Sequence, residues 1–115
     1  MIRQRVGGVA VRLTPFTGTH SEEIAALAVK HRLPAIGDGP DYADRGFLMS
    51  YSVDWSEILR QTASYIHRIL NGAQPGDLPI EQVTKFHFVI NLKTARTLGV
   101  RVPLSVLTSA TRVIE

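Results

Sequence analysis

Cysteine is absent from the 115 residues, which excludes disulfides, thiolate metal sites and thiol catalysis. No segment approaches the ~20 consecutive apolar residues that a membrane-spanning helix requires. Lysine and arginine outnumber acidic residues by 13 to 10, but they are spread along the chain rather than concentrated on one element. Nucleic-acid-binding proteins usually carry a basic stripe on one element, so we expect no nucleic acid among the partners.

Motifs for catalysis and metal binding are lacking as well. Four histidines are present (His20, His31, His67 and His87), but none lies three or four residues from another. Such spacing is typical of metal ligands on a helix. Gly7-Gly8 lacks the downstream residues of a phosphate-binding loop, and no pattern of nucleophile, base and orienting group is visible. We therefore expect a protein that is not an enzyme and has no metal or cofactor.

The beginning of the chain is basic, but no apolar segment of a signal peptide follows it. Expressed as written, the chain is therefore expected to stay in the cytoplasm. Its content of 44% hydrophobic and 20% charged residues is typical of a single globular domain.

Strand and helix patterns alternate in the first third of the chain. Val6–Leu13 is a valine-rich run of the kind that forms a buried parallel strand. Thr14–Thr19 has the composition of a loop, and Thr19 with Glu22 has the spacing of a capping box at the start of a helix. Leu33–Ile36 predicts a second, very short strand. These elements form a strand-helix-strand unit, from which open parallel sheets are built.

A long amphipathic helix is predicted in the middle of the chain. Gly46–Val53 is the next extended segment, and Asp54 is placed to cap the helix that follows. The helix is expected from about Trp55 to Leu70, with one apolar stripe along it. Asn71-Gly72 ends it.

The last third predicts a further strand and two helices. Phe86, Phe88 and Ile90 alternate with Lys85, His87 and Val89, which indicates a strand with one strongly buried face. Asn91 is placed to cap a short helix that ends at Gly99. A final helix is expected from Pro103, with Val113 among its apolar residues.

The alternation of strands and helices indicates an α/β fold with a largely parallel sheet. Ligands of such sheets bind beyond the carboxyl ends of the strands. This places the interest on Thr14–Thr19, Gly37–Tyr42 and Ser50–Asp54.

Several separate segments closely resemble the C-terminal end of the substrate-binding proteins of bacterial ABC importers, in the branch linked to aromatic amino-acid uptake. The resemblance extends from about residue 6 to residue 115. The segments that carry it are His31–Ile36, Leu48–Tyr51, Ile69–Gly72, Asp77–Pro79, Gln82–Phe86, Asn91–Ala95, Leu98-Gly99 and Val113–Glu115.

The resemblance implies a periplasmic-binding-protein-like fold of type I, Rossmann-like, in which two α/β lobes clamp a ligand. The chain matches about the last third and is expected to be incomplete without the N-terminal lobe. Residues 6–45 are expected in the second lobe. Residues 46–83 are expected to form a crossing strand and a first-lobe helix, and residues 84–115 a return crossing and the C-terminal helices. The family location is periplasmic or at the cell envelope, with ABC permease subunits as partners.

Candidate ligand contacts lie at the predicted strand ends: Phe16, Thr17, Asp41, Tyr42, Ser50 and Tyr51. Ser50 and Tyr51 resemble part of the family's hinge and cleft wall. Asp41 is suited to pair with the amino group of an amino-acid ligand, and Phe16 to stack on an aromatic one. The alternatives are that Tyr51 and Phe16 are ordinary core aromatics and that Asp41 is a solvated loop acid.

Two functions follow from these observations. The first is a solute-binding component of an ABC-type importer, or a truncated remnant of one. It binds a small amino-acid-like ligand, with an aromatic amino acid among the candidates, and performs no catalysis. The alternative is a self-associating structural module that has lost ligand binding. On either account we expect a homo-oligomer, because the stripe of Ile58, Thr62, Ile66 and Ile69 would otherwise be exposed.

Overall fold

The computed structural model describes residues 5–115 and shows five strands and five helices in this range. Residues 1–4, which include Arg3 of the basic beginning on which the expectation about export partly rests, lie outside the described part. The strands are Val9–Val11 (β1), Ala35–Gly37 (β2), Met49–Val53 (β3), Phe86–Asn91 (β4) and Arg112–Ile114 (β5). The helices are Pro15–Thr19 (α1), Ser21–Lys30 (α2), Trp55–Leu70 (α3), Leu92–Leu98 (α4) and Leu104–Leu107 (α5), and a short 3₁₀ turn spans Pro75–Asp77.

The five strands form one sheet in the order β1-β2-β3-β4-β5. The pairs β1–β2, β2–β3 and β4–β5 are parallel. Between β3 and β4, the Asn91 amide donates to the Leu48 carbonyl at 2.9 Å, and the Asp54 amide donates to the Lys85 carbonyl at 3.0 Å. Residue numbers rise along one strand as they fall along the other, so this pair is antiparallel. The predicted α/β fold with a largely parallel sheet is confirmed.

Contacts divide the chain into two compact units, which we call the first unit (1–52 and 87–115) and the second unit (53–86). The core of the first unit is formed by small residues and two aromatic rings: Ala25, Ala28, Ala35, Tyr42 and Phe47. The rings of Tyr42 and Phe47 stack with their centroids 4.7 Å apart. Gly37 leaves room for this arrangement, because a Cβ atom there would lie 1.6 Å from Cδ2 of Tyr42.

The second unit contains α3, and its predicted bounds are confirmed. Asp54 caps the helix, since its carboxylate accepts from the amides of Ser56 at 2.9 Å and Glu57 at 3.3 Å. Within α3, which is described in full, no side chain is buried. Ile66 and Ile69 are exposed by 53% and 40% and Ile58 is half-buried, so most of the apolar stripe predicted from the sequence is exposed.

The predicted loop after β1 is wrong, because α1 occupies it. The capping box is formed by Thr14 and Thr17, whose side chains each accept from the other's amide, at 2.8 and 3.1 Å. Pro15 follows the cap, where its fixed φ suits the first position of a helix. Thr19 is therefore the last residue of α1 instead of a cap, and α2 begins after His20 without a side-chain cap.

Two predictions near the C-terminus are wrong, and one is confirmed. The prediction that β4 has only one buried face is wrong, because Val89 and Ile90 are both buried while Phe86 is exposed. The end of β4 lies inside the sheet and is covered on both faces. The placement of Val113 on the last helix is also wrong. Val113 lies on β5, where it pairs with Ile90 of β4. Gly99 ends α4 with φ of 70°, the left-handed conformation expected for it.

Candidate ligand-binding site

The loops that follow β1 and β2 are joined by Asp38, a residue that the sequence did not single out. Its carboxylate accepts a hydrogen bond from the Leu13 amide and lies 3.8 Å from Nε of Arg12. Its own amide donates to the Val11 carbonyl at 3.3 Å. Because β1 and β2 are parallel, their carboxyl ends meet at one edge of the sheet, and Asp38 fixes the two loops there. The only signal for it was its position directly after β2.

Two of the predicted site residues, Thr17 and Tyr42, are in contact. The Tyr42 hydroxyl donates to Oγ1 of Thr17 at 3.2 Å. Tyr42 is only 2% exposed, so its ring packs in the core. Thr17 is held further by a hydrogen bond from its hydroxyl to the Arg12 carbonyl at 2.5 Å. The pair therefore anchors α1 to the loop after β2.

A recess of about 530 Å³ lies beside this contact, at the same edge of the sheet. It is lined by Leu13, Gly18, Thr19, Gly39, Pro40, Asp41, Tyr42 and Arg45. The Asp41 carboxylate lies 3.9 Å from Nη2 of Arg45, and its side chain is largely exposed. The guanidinium is fixed from the other side, because Nη1 donates to the Gly18 carbonyl and to Oγ of Ser21, both at 2.7 Å. The recess thus presents a carboxylate next to a cation. Arg45 is not among the site residues predicted from the sequence.

Phe16 is the most exposed ring among the predicted site residues, at 70%. It lies on α1 and packs on the His20 ring with the centroids 4.4 Å apart. It is therefore a surface aromatic rather than a core residue, and its free face is available for stacking.

Ser50 and Tyr51 point to opposite faces of the sheet, because side chains alternate along a strand. Ser50 is 1% exposed, and among the described residues its hydroxyl has no hydrogen-bond partner; the same holds for the buried hydroxyl of Ser52. Tyr51 is 48% exposed, packs edge-to-face on Phe88 at 5.9 Å, and borders a shallow hollow over β1 and β2. The structure therefore does not bring Ser50 and Tyr51 to one wall.

Arg112 on β5 has a shifted pKa. A hydrogen bond from Arg112 to Asp44 raises the pKa of the guanidinium, and burial opposes this rise. The pair connects β5 to the segment that precedes β3.

Over residues 5–115, no three His, Cys, Asp or Glu side chains are arranged to hold a metal ion. No helix in the described chain combines the length and apolar character needed to cross a membrane.

The largely parallel sheet carries a polar recess at the carboxyl ends of β1 and β2, the edge where ligands of such α/β folds bind. Residues 6–114 match the family described as ABC transporter substrate binding protein. The chain belongs to this family. A search of curated proteins finds no match.

Solved structures similar to this chain agree with that assignment. A conserved domain protein from Vibrio cholerae O1 biovar El Tor is 28% identical with a TM-score of 0.84, and the match covers 97% of this chain and 38% of that protein. An ABC domain from Streptococcus pneumoniae in complex with L-Trp is 26% identical with a TM-score of 0.82, covering 96% and 38%. A substrate-binding protein with adhesive properties from Clostridium difficile, in a ligand-free open structure, is 18% identical with a TM-score of 0.68, covering 98% and 39%, and supports the fold alone. The chain spans 38% of the length of the first two relatives.

Proposed function

We propose that this chain forms one wall of the binding cleft in a solute-binding component of an ABC-type importer, and that its ligand is an aromatic amino acid. The observation that carries the proposal is the similarity, over 96% of the chain, to a protein solved in complex with L-Trp. The component binds its ligand outside the cytoplasm, without chemical change, and delivers it to permease subunits. The recess at the carboxyl ends of β1 and β2 supports this role.

Each candidate residue has a role that follows from its placement. Asp41 has an exposed carboxylate suited to the ammonium group of an amino acid, in a charge-assisted hydrogen bond. Phe16 offers an aromatic face at the same edge of the sheet, and Tyr51 offers one on the opposite face of β3 from Ser50. Thr17 and Tyr42 position α1 against the loop. Ser50 is 1% exposed, so its hydroxyl, which has no partner within residues 5–115, is not one of the proposed ligand contacts.

A thermal-shift titration of the chain against the twenty amino acids tests this proposal. A ligand at 100 times its Kd adds about 2.7 kcal/mol of stability, which corresponds to a rise in Tm of about 10 °C in a chain of this size. We expect a selective rise with tryptophan, tyrosine or phenylalanine. Asp41→Asn is expected to abolish the rise, and Asp77→Asn in the second unit, the same change on another exposed acid, is expected to leave it unchanged. No rise with any amino acid would contradict the proposal.

A self-associating module is the second candidate function, and the outward-facing apolar residues of α3 favour it. In this case the homo-oligomer forms through α3, and ligand binding is absent. Light scattering on Ile66→Glu tests it, with Ser64→Glu on the same helix as the matched control. An oligomer lost only in Ile66→Glu, together with a flat ligand panel, supports this function. A monomeric parent chain contradicts it.

A further inference from the structure

A groove of about 500 Å³ runs between α2 and α4 on the first unit, apart from the recess described above. Its floor consists of small side chains, because Ala25 is buried on α2 and Thr94 is buried on α4. Gly46 lies between them, and a Cβ atom there would lie 3.3 Å from Cβ of Ala25. Val29 forms one wall and Thr97 lines the α4 side.

Two lysines line this groove, Lys30 on α2 and Lys93 on α4. Each helix connects two parallel strands, so each runs opposite to the strands that it joins. Because β4 is antiparallel to β3, α2 and α4 are antiparallel to each other. Lys30 is the last residue of α2 and Lys93 the second of α4, so both cations lie at the same end of the groove.

Among the described residues, no acidic side chain lines the groove at the end where these two lysines lie. Glu22 also lines the groove, but in the first turn of α2, at the opposite end from Lys30. Neither lysine forms an ion pair within residues 5–115, whereas Arg45 on the same groove is paired with Asp41. Lys93 also lies in the first turn of α4, where a positive charge is unfavourable to the helix dipole and where no acidic residue is present. This end of the groove therefore carries positive charge without a counter-charge among its described lining residues, and Lys93 does not stabilise α4, which favours an acidic occupant here.

We propose that the groove between α2 and α4 docks an acidic polypeptide segment of a partner protein, with Lys30 and Lys93 pairing its carboxylates. The floor favours a polypeptide over a free anion such as phosphate. Its alanines and Val29 offer apolar contact, and the Thr94 hydroxyl already donates to the Gly46 carbonyl at 3.0 Å. The concave shape favours a chain segment over a lipid surface. This surface adjoins the ligand recess and shares with it only Arg45 among the lining residues, so the inference goes beyond the proposed function.

Titration of the ¹⁵N-labelled 115-residue chain with hexaglutamate at low ionic strength tests the inference. We expect saturable amide shifts at Ala26, Val29, Lys93 and Thr97. The double variant Lys30→Glu/Lys93→Glu is expected to raise Kd at least fivefold. The matched control Lys85→Glu/Arg101→Glu changes the net charge equally, outside this groove, and is expected to raise Kd less than twofold. Amide spectra of both variants in the absence of peptide verify that the fold is retained.

Three outcomes would overturn the proposal. Equal weakening in both double variants would show that only net charge matters. The same amide shifts with inorganic phosphate at matched ionic strength would assign the lysines to a small anion. Binding to phosphatidylglycerol vesicles that requires Lys30 and Lys93, without any shift on adding hexaglutamate, would assign the surface to lipid.

Discussion

Asn91 joins three parts of the first unit through one buried side chain, and its removal is expected to destabilise the fold more than any exposed amide would. Its Oδ1 accepts from the Thr94 amide at 3.1 Å and caps α4, while its Nδ2 donates to the Ala43 carbonyl at 2.8 Å. The residue ends β4, and its amide pairs with Leu48. The side chain thereby connects α4 to the segment that precedes β3.

The magnitude for Asn91→Ala is built from two losses. Removing an N-cap costs about 1 kcal/mol, and here the Thr94 amide is left buried without its partner. The second hydrogen bond contributes about 1 kcal/mol, the value of an ordinary intramolecular bond, because the Ala43 carbonyl keeps the Gly46 amide at 3.2 Å as another donor. The sum is about 2 kcal/mol, which corresponds to a fall in Tm of roughly 8 °C in a chain of this size.

Urea denaturation followed by circular dichroism measures this change. Asn91→Ser keeps a capping oxygen and is expected to lose about half as much stability, roughly 1 kcal/mol. The control is Asn71→Ala, which removes an exposed amide at the end of α3 and is expected to cost less than about 0.5 kcal/mol. If Asn91→Ala and Asn71→Ala have the same effect, the assignment of two buried hydrogen bonds to Asn91 is refuted.

Two further predictions concern glycines. Gly37→Ala is expected to cost about 3 kcal/mol, because the added Cβ overlaps the Tyr42 ring and forces it from its stack on Phe47. A retained near-ultraviolet spectrum of the tyrosines would contradict this. Gly99→Ala is expected to cost about 1 kcal/mol in urea denaturation, because φ of 70° at the end of α4 strains any residue with a Cβ atom although space is free around it. Gly76→Ala, with ordinary backbone angles and nothing within 4 Å, is the control for both and is expected to be near neutral.

Elements with strong local signals were predictable from the sequence. The bounds of α3 follow from Asp54 and from an apolar stripe that repeats with the helical period. Asn91 and Gly99 likewise delimit α4, since a side-chain cap and a left-handed cap are both properties of one or two residues. The alternation of strand and helix patterns sufficed for the fold class. In these cases the deciding interaction lies within a few residues of the chain.

Elements with competing local signals were decided by neighbours distant in the chain. Thr14 and Thr19 are both acceptable caps, and the hydrogen bond from the Tyr42 hydroxyl to Thr17 joins α1 to the loop after β2. Val113 suits the apolar face of a helix as well as a strand. The Thr111 amide donates to the Phe88 carbonyl at 2.8 Å, and that pairing with β4 places the residue in the sheet.

The candidate site shows the same division. Its place at the carboxyl ends of the strands followed from the α/β pattern, because parallel strands end at a common edge. Its chemistry did not follow, since Asp38 and Arg45 act through contacts with the α1 segment about 25 residues away in the sequence. The sequence by itself determined the fold class, the longest helix and the region of interest. Only the tertiary structure placed Tyr42 in the core, separated Ser50 from Tyr51 and brought Lys30 and Lys93 to one groove, because these outcomes depend on which strands pair and which face each helix covers.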